Sequence, residues 1–574
     1  MSALVVAPLL VALGTGILTL LVRFDGRLRR AISLLGGVAY LGAVAALFDS
    51  VVFATGGPRV VPYYVSNWPA PFGITLVADS LSAFMLGLAA VVFLPALAFA
   101  SVYVDEFARR LSFTPLFHFM LAGVTGAFLT ADVFNLFVWF EVMLMASYIL
   151  VLFYSGREHT RAALGYVVLN LLASALMLVA IGGLYATVGT LNMADMARRL
   201  ANPAAYGVEL APTLGLASLL LSVFALKAGL VPFHFWVPSA YRAAPAPVTA
   251  VLAGVVKKVG VYAIIRLFFT VFAGAAYANT GTFAYVGPAL FVGAVLSILY
   301  GGAAAVGRED VDGMLAFSSI AQVGFIVLPL AVAMAAPALA VDFGGPGAGG
   351  TLATLGVAAA LVYALNHGLA KGLLFLASGT VYSAVGTTDF DRLGGLASRA
   401  PLLAGAFLLG GLSLVGVPPL VGFFGKLLVF RAGVEALAVA PLAGGLALAA
   451  ALGGAVLTIA YVTRLWNQVF WGEPTETVLA ALPSRWSKRS SGVAADGGAP
   501  DGAAQGEGAT DVIVGSLAVQ LTAVVALALC LVGFGVGVEF VVEAATRAAE
   551  AATDTAGYVD AVAPEPVLTQ GGES

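Results

Sequence analysis

Fourteen apolar runs, each near or above the roughly 20 residues that a helix needs to cross a bilayer, constrain this chain more than any other feature. They fall at 2–22, 31–54, 79–102, 113–130, 132–154, 162–188, 213–237, 247–273, 283–306, 313–336, 352–384, 401–430, 441–471 and 512–541. Only 10% of the 574 residues are charged and the mean hydropathy is +1.01, whereas soluble domains carry roughly a quarter charged residues. Folding in water is thereby excluded. The reading is an all-α polytopic membrane protein of about fourteen transmembrane helices. The first run is followed at once by Arg23, Arg27, Arg29 and Arg30. That flank suits a spanning helix better than a cleaved leader, whose positive charges come first.

Charge placement orients the chain. With the N-terminus outside, 16 basic loop residues fall inside and five (Arg59, Arg198, Arg199, Arg431, Arg547) fall outside. The positive-inside rule therefore predicts a multi-pass protein of the cell membrane with both termini on the outer face. Arg266 lies near the outer end of the eighth run. The other basic residues are more informative: of six lysines only Lys488 is in a loop, while Lys227, Lys257, Lys258, Lys371 and Lys426 lie within apolar runs. Lysine stands where a titratable ammonium is useful, and arginine fills the permanently charged roles. The net charge of −3 favours no class of partner, and the single cysteine, Cys530, allows no disulfide framework.

Ser484 to Asp511 is rich in Gly, Ala, Ser and Asp and reads as a flexible cytoplasmic linker, which we bound at 472–511. Beyond the run at 512–541, residues 542–574 read as an acidic, mobile tail. The seventh run holds Lys227 close to Pro232; the twelfth holds Pro418, Pro419, Gly422, Gly425 and Lys426. Both are broken helices with a lysine near the break, five runs apart. An odd separation inverts the second unit in the membrane, and broken helices at matching places of inverted repeats mark transport sites.

Glu141 is a carboxylate in the middle of an apolar run, costly unless paired or protonated. It is either a structural tie between helices or a proton relay; the relay reading is preferred, with Lys227 as the partner whose charge offsets the cost. Lys257 and Lys258 are adjacent, about 100° apart on a helix, so both cannot face one narrow path. Lys258 is assigned inward and Lys257 is assigned as packed or snorkelling. Lys371 and Lys426 are further relay candidates. His234 and His367 are intramembrane imidazoles able to shuttle protons or simply to be hydrogen-bonded in the core; His118 and His159 take the latter reading. Four scattered histidines make no metal site. With no phosphate-binding loop or dinucleotide fingerprint, no cofactor, nucleotide or nucleic acid is expected.

At these residues the sequence resembles the proton-conducting antiporter family, which comprises the large membrane subunits of Mrp-type multisubunit Na+/H+ antiporters and the antiporter-like subunits of respiratory complex I. The resemblance covers roughly residues 70–475. It rests on the segments from Gly73 to Ser82, Phe134 to Glu141, Lys227 to Trp236, Ala244 to Ala250, Lys258 to Ala263, Leu315 to Gly324 and Val417 to Lys426. The wording around Glu141 and the Ala-Pro-Ala-Pro stretch most resembles the D-type Mrp subunits. The resemblance implies N-terminal helices over 1–112, inverted five-helix repeats over 113–273 and 283–471, and broken helices 7 and 12. It further implies a Glu141–Lys227 gate, Lys258 as central relay, and His367 and Lys426 in a second half-channel. The expected function is a proton-translocating subunit of a cation (Na+)/proton antiporter, a secondary transporter rather than an enzyme, working with other subunits in a hetero-oligomer. The alternative is a proton-pumping subunit of a redox-driven complex. Three positions depart from the family pattern: Ser239 stands where Asp is usual, Asp312-Gly313 where Lys-Arg is usual, and Gly165 where a lysine is common. The last implies a simplified route near Glu141.

Overall fold

The computed structural model describes residues 2–22, 24–54, 59–105, 112–153, 156–273, 285–336, 338–342, 349–482 and 507–564. The helices are α1 (Ser2–Leu21), α2 (Gly26–Val52), α3 (Ser80–Tyr103), α4 (Phe113–Leu129), α5 (Val133–Val151), α6 (Arg157–Val188), α7 (Leu210–Ala228) and α8 (Trp236–Ala243). They continue with α9 (Ala246–Val271), α10 (Val286–Val306), α11 (Val311–Ala333), α12 (Leu352–Val385), α13 (Pro401–Val415), α14 (Val421–Leu437) and α15 (Pro441–Phe470). The last are α16 (Glu507–Val536), α17 (Val538–Thr553) and α18 (Thr555–Val562). A hairpin of β1 (Val61–Tyr64) and β2 (Thr75–Ala78) lies between α2 and α3, with Val61 opposite Ala78 and Tyr64 opposite Thr75.

Apolar runs become helices here because hydrocarbon offers the backbone no other partner. Several starts are fixed by capping carboxylates, which accept from backbone amides that have no partner inside the helix. Asp79 accepts from Ser82 N at 2.8 Å, Asp132 from Asn135 N at 2.7 Å and Asp310 from Gly313 N at 2.7 Å. Among the described residues, 12 helices are long and apolar enough to cross a membrane, so the chain is a multi-pass membrane protein. The run at 113–130 folds as the 17-residue α4. The run at 401–430 divides into α13 and α14 at Gly416, whose φ of 92° suits glycine, and α7 ends likewise at Gly229 with φ 71°.

Two helices are wholly enclosed. The spanning windows of α9 and α12 are fully buried, whereas α1, α2 and α16 bury less than half of theirs. Around α9 the helices meet through small residues, as expected where packing rather than hydrophobic exclusion drives association. A Cβ on Gly260 would lie 2.7 Å from Ala228 N and 2.8 Å from Phe224 O, both backbone atoms of α7. Gly260→Val should therefore force α7 and α9 apart at a cost of about 1–3 kcal/mol or more. Thermal unfolding of the purified protein checks this; an unchanged midpoint contradicts the packing.

The C-terminal segment differs from the mobile tail expected. Residues up to Val562 form α17 and α18, and α17 buries Val541, Ala544, Ala545, Ala548, Ala549 and Ala552 against the bundle. An alanine stripe at helical spacing gives that helix an apolar face despite its charged residues. Of the expected linker, 483–506 lie outside the described residues.

Candidate functional site

The site grows from an irregularity in α9. A π-helical turn at Leu252–Val256 interrupts the usual hydrogen-bond ladder, and such turns leave carbonyls to be satisfied by side chains. Lys258 Nζ donates to Ala253 O at 2.5 Å and meets His367 Nδ1 of α12 at 2.5 Å. His367 Nε2 lies 3.3 Å from Ser319 Oγ of α11, and Lys257 Nζ donates to that same hydroxyl at 3.3 Å and to Ser319 O at 3.3 Å. All four residues are completely buried. Of the two alternatives for Lys257, burial leaves the packed one and excludes snorkelling, and it adds a hydrogen-bond partner on α11. The two lysines do point about 100° apart, but α9 is enclosed on every side, so each finds a polar partner on a different neighbour. Lys257 also faces the break after α7, its Nζ 3.2 Å from where a Cβ on Gly229 would lie.

Further along α11 and α12, Lys371 Nζ donates to Leu315 O at 2.9 Å and makes a short contact with Ser318 Oγ. Asn366 accepts from Ser413 at 2.7 Å, at the end of α13. Lys426 Nζ donates to Val415 O at 3.0 Å, just before the break at Gly416, and lies 5.0 Å from the Phe325 ring centre. Gln322 donates to Tyr461 at 2.8 Å and to Thr458 at 3.2 Å, and accepts from Tyr363.

In the first half, Lys227 donates to Asn170 O at 3.3 Å and Ser174 Oγ at 3.2 Å, over the Phe140 ring at 5.8 Å. Glu141 is half-buried and its Oε1 has no hydrogen-bond partner. Among the described residues the implied Glu141–Lys227 gate is thus not a direct ion pair; Lys227 takes its hydrogen-bond partners from α6. Gly165 is exposed with open space about it, and the face of α6 turned inward is Tyr166, Asn170 and Ser174. The missing lysine at 165 leaves no gap in this network. His234 is not joined to it either: its Nδ1 has no partner and its ring packs on Phe235 and Tyr300. Ser239 donates back to Trp236 O at 3.2 Å.

A cavity of about 630 Å³ opens where α9 begins, lined by Tyr241, Thr249, Asp310, Asp312, Ser378 and Asp389 among others. Asp312 accepts from Ser378 at 2.6 Å and Thr388 at 3.3 Å, which accounts for an acid where the family pattern has a base. Tyr241, on the cavity wall, has Lys257 Nζ 5.9 Å from its ring centre. At the opposite end of α9, Arg266 and Asp79 form a buried ion pair at 2.6 Å.

The residues that sequence reasoning passed over are the neutral ones: Asn170, Ser174, Ser318, Ser319, Gln322 and Ser413. Their signal was present, since each is a polar residue inside an apolar run and 170 with 174, and 318 with 322, share a helix face. Among the described residues of the row, only Lys258, His367, Ser319 and Lys257 are joined in one chain of contacts; Lys227, Lys371 and Lys426 each have local partners. In the joined part the hydroxyl and the neutral imidazole can each accept on one side and donate on the other.

The sequence matches the family described as NADH:quinone oxidoreductase/Mrp antiporter, TM, over residues 130–342 and 348–451. The chain belongs to that family. It is 35% identical over 480 residues to the D-type subunit of the Na(+)/H(+) antiporter of Alkalihalophilus pseudofirmus, covering 83% of this chain and 89% of that one. It is 37% identical over 435 residues to the N-type subunit of the NADH-quinone oxidoreductase of Desulforudis audaxviator, covering 74% and 78%. A chain of the Mrp complex from Dietzia sp. DQ12-45-1b superposes with a TM-score of 0.79 at 29% identity, covering 98% of this chain and 99% of that chain. Both matched segments of the NADH:quinone oxidoreductase/Mrp antiporter family contain lysines of the buried row: Lys227, Lys257 and Lys258 in the first, Lys371 and Lys426 in the second.

Proposed function

We propose that this chain is the proton-translocating subunit of a multisubunit Na+/H+ antiporter in the cell membrane, with both termini on the outer face, a secondary transporter rather than an enzyme. Protons pass near the bilayer midplane along Glu141, Lys227, Lys258, His367, Lys371 and Lys426, while Lys257 and Ser319 join the row and His234 stands beside it. The observation that carries this reading is the unbroken contact Lys258–His367–Ser319–Lys257, at 2.5, 3.3 and 3.3 Å, on fully enclosed helices. An imidazole between an amine and a hydroxyl can exchange which nitrogen bears hydrogen, and that exchange is itself a proton hop. Two inverted repeats, 113–273 and 283–471, would each supply half of the path, with coupling ions reaching the row through partner subunits of the complex.

Glu141→Ala and Lys227→Ala are expected to abolish cation-driven proton movement in membrane vesicles while the complex assembles normally. Full exchange in either assembled variant rejects the relay. A second reading, a proton-pumping subunit of a redox-driven complex, is favoured by the 37% identity to an NADH-quinone oxidoreductase subunit. Purifying the intact complex separates the two: iron–sulfur and quinone-site subunits accompanying this chain would establish the second.

A further inference from the structure

Lys258 has an unassigned face. Lys258, Tyr262 and Arg266 recur at four-residue spacing, so each lies on the same side of α9 and about 6 Å further from the cavity end. Tyr262 OH donates to Phe128 O at 2.9 Å and receives Arg266 Nε at 3.3 Å. Arg266 Nη2 meets Asp79 at 2.6 Å and Ser82 Oγ at 3.4 Å. Above this column sits α18, with the ring centre of Tyr558 4.9 Å from the Arg266 guanidinium carbon. The helix is held there by Thr555 donating to Thr270 O at 3.0 Å and Tyr64 donating to Val562 O at 3.0 Å, while Thr270 ties down the end of α17 by donating to Ala552 O at 2.7 Å.

A purely structural tie between α3 and α9 would be expected to use the whole guanidinium fork. Here Arg266 Nη1, Tyr558 OH and the neighbouring Ser80 Oγ are all buried without hydrogen-bond partners. Buried polar atoms almost always have partners, and grouped orphans are where internal water binds. Asp79, Arg266 and Tyr558 are each at most 1% exposed, and α18 is one of the elements that cover this polar group, with Tyr558 the side chain it lays over Arg266.

We propose that Lys258, Tyr262 and the Asp79–Arg266 pair form a second proton branch, leading from the central lysine to the outer face and stoppered by Tyr558. The branch rests on Lys258 acting as a relay. The Asp79 carboxylate takes a proton from Tyr262 through water while Arg266 keeps its own; Tyr262 regains one from the Lys258 ammonium, and Lys258 is refilled through His367. Neutral Asp79 no longer holds Arg266, which frees the pair until the proton leaves outward and the ion pair re-forms.

The test uses the assembled complex in vesicles, reading passive decay of a pH gradient without coupling cation. Tyr558→Ala should speed that decay by about tenfold, a barrier change of the size one gate can supply. Tyr558→Phe, which keeps the ring over Arg266, should stay tight. Adding Tyr262→Phe to Tyr558→Ala should restore the slow decay, while adding Lys426→Met should not. A tight Tyr558→Ala complex, a leak that survives Tyr262→Phe, or a leak removed by Lys426→Met overturns the branch. Tyr262→Phe alone provides an arm independent of α18: coupled exchange should fall several-fold, and unchanged exchange also overturns it. Failure of the relay reading shows separately, as exchange that persists in Lys258→Met.

Discussion

Lys258→Met is expected to lower cation-driven proton exchange by roughly 100-fold or more, the range lost when a positioned proton-transfer group is removed, with the complex assembled at its normal level. Methionine fills nearly the volume of the lysine stem, so packing on the enclosed α9 is kept and a volume-conserving swap costs little. Removing the ammonium also removes a buried charge, which relieves rather than adds desolvation cost. What disappears is the group that holds both His367 Nδ1 and Ala253 O at 2.5 Å. The imidazole then has Ser319 on one side and nothing to exchange with on the other. Lys258→Arg should not rescue exchange: the guanidinium keeps its proton in proteins and its planar fork does not fit a position shaped for a single Nζ. Proton uptake measured with a pH-sensitive dye in inverted vesicles decides the matter. Exchange above half the normal rate in Lys258→Met would remove this lysine from the path.

The membrane character and the broken helices were legible because each rests on a strong local rule. Hydrocarbon demands long apolar runs, and Gly416 and Pro418–Pro419 cannot continue a helix. Which helices are central was less visible, since the largely buried α3 is as apolar as the peripheral α1, and α7 is as weakly apolar as α9 yet buries less than half of its window. Enclosed helices can hold more polar side chains than those facing lipid. The polar partner of the packed Lys257 was hidden by treating α9 as one-sided, when its surroundings have no lipid side. Searching for charge alone found the lysines and missed Ser319, the hydroxyl that joins two of them. In the C-terminal segment, counting acids concealed the alanines from 544 to 552 that dock α17, because alanine adds little to a hydropathy sum yet packs closely.

Asp79 and Arg266 should show opposite single and double effects on stability. Asp79→Asn leaves the guanidinium without its counter-charge, and Arg266→Met does the same to the carboxylate; breaking a buried pair from one side costs about 3–5 kcal/mol. Asparagine can still cap α3 at Ser82 N, so the loss reports the ion pair and not the helix start. The double variant Asp79→Asn/Arg266→Met buries no charge at all, and neutral replacement of a buried pair is often without net cost. Its thermal midpoint should therefore lie close to that of the unaltered protein and above both single variants. A tie that worked by simple addition would instead make the double variant the weakest of the three, since distant independent changes add. Restored stability would also separate holding the helices together from moving protons. The double variant keeps Tyr262 and Tyr558 but has no carboxylate to receive a proton, so combining it with Tyr558→Ala should give a stable complex that remains tight to protons.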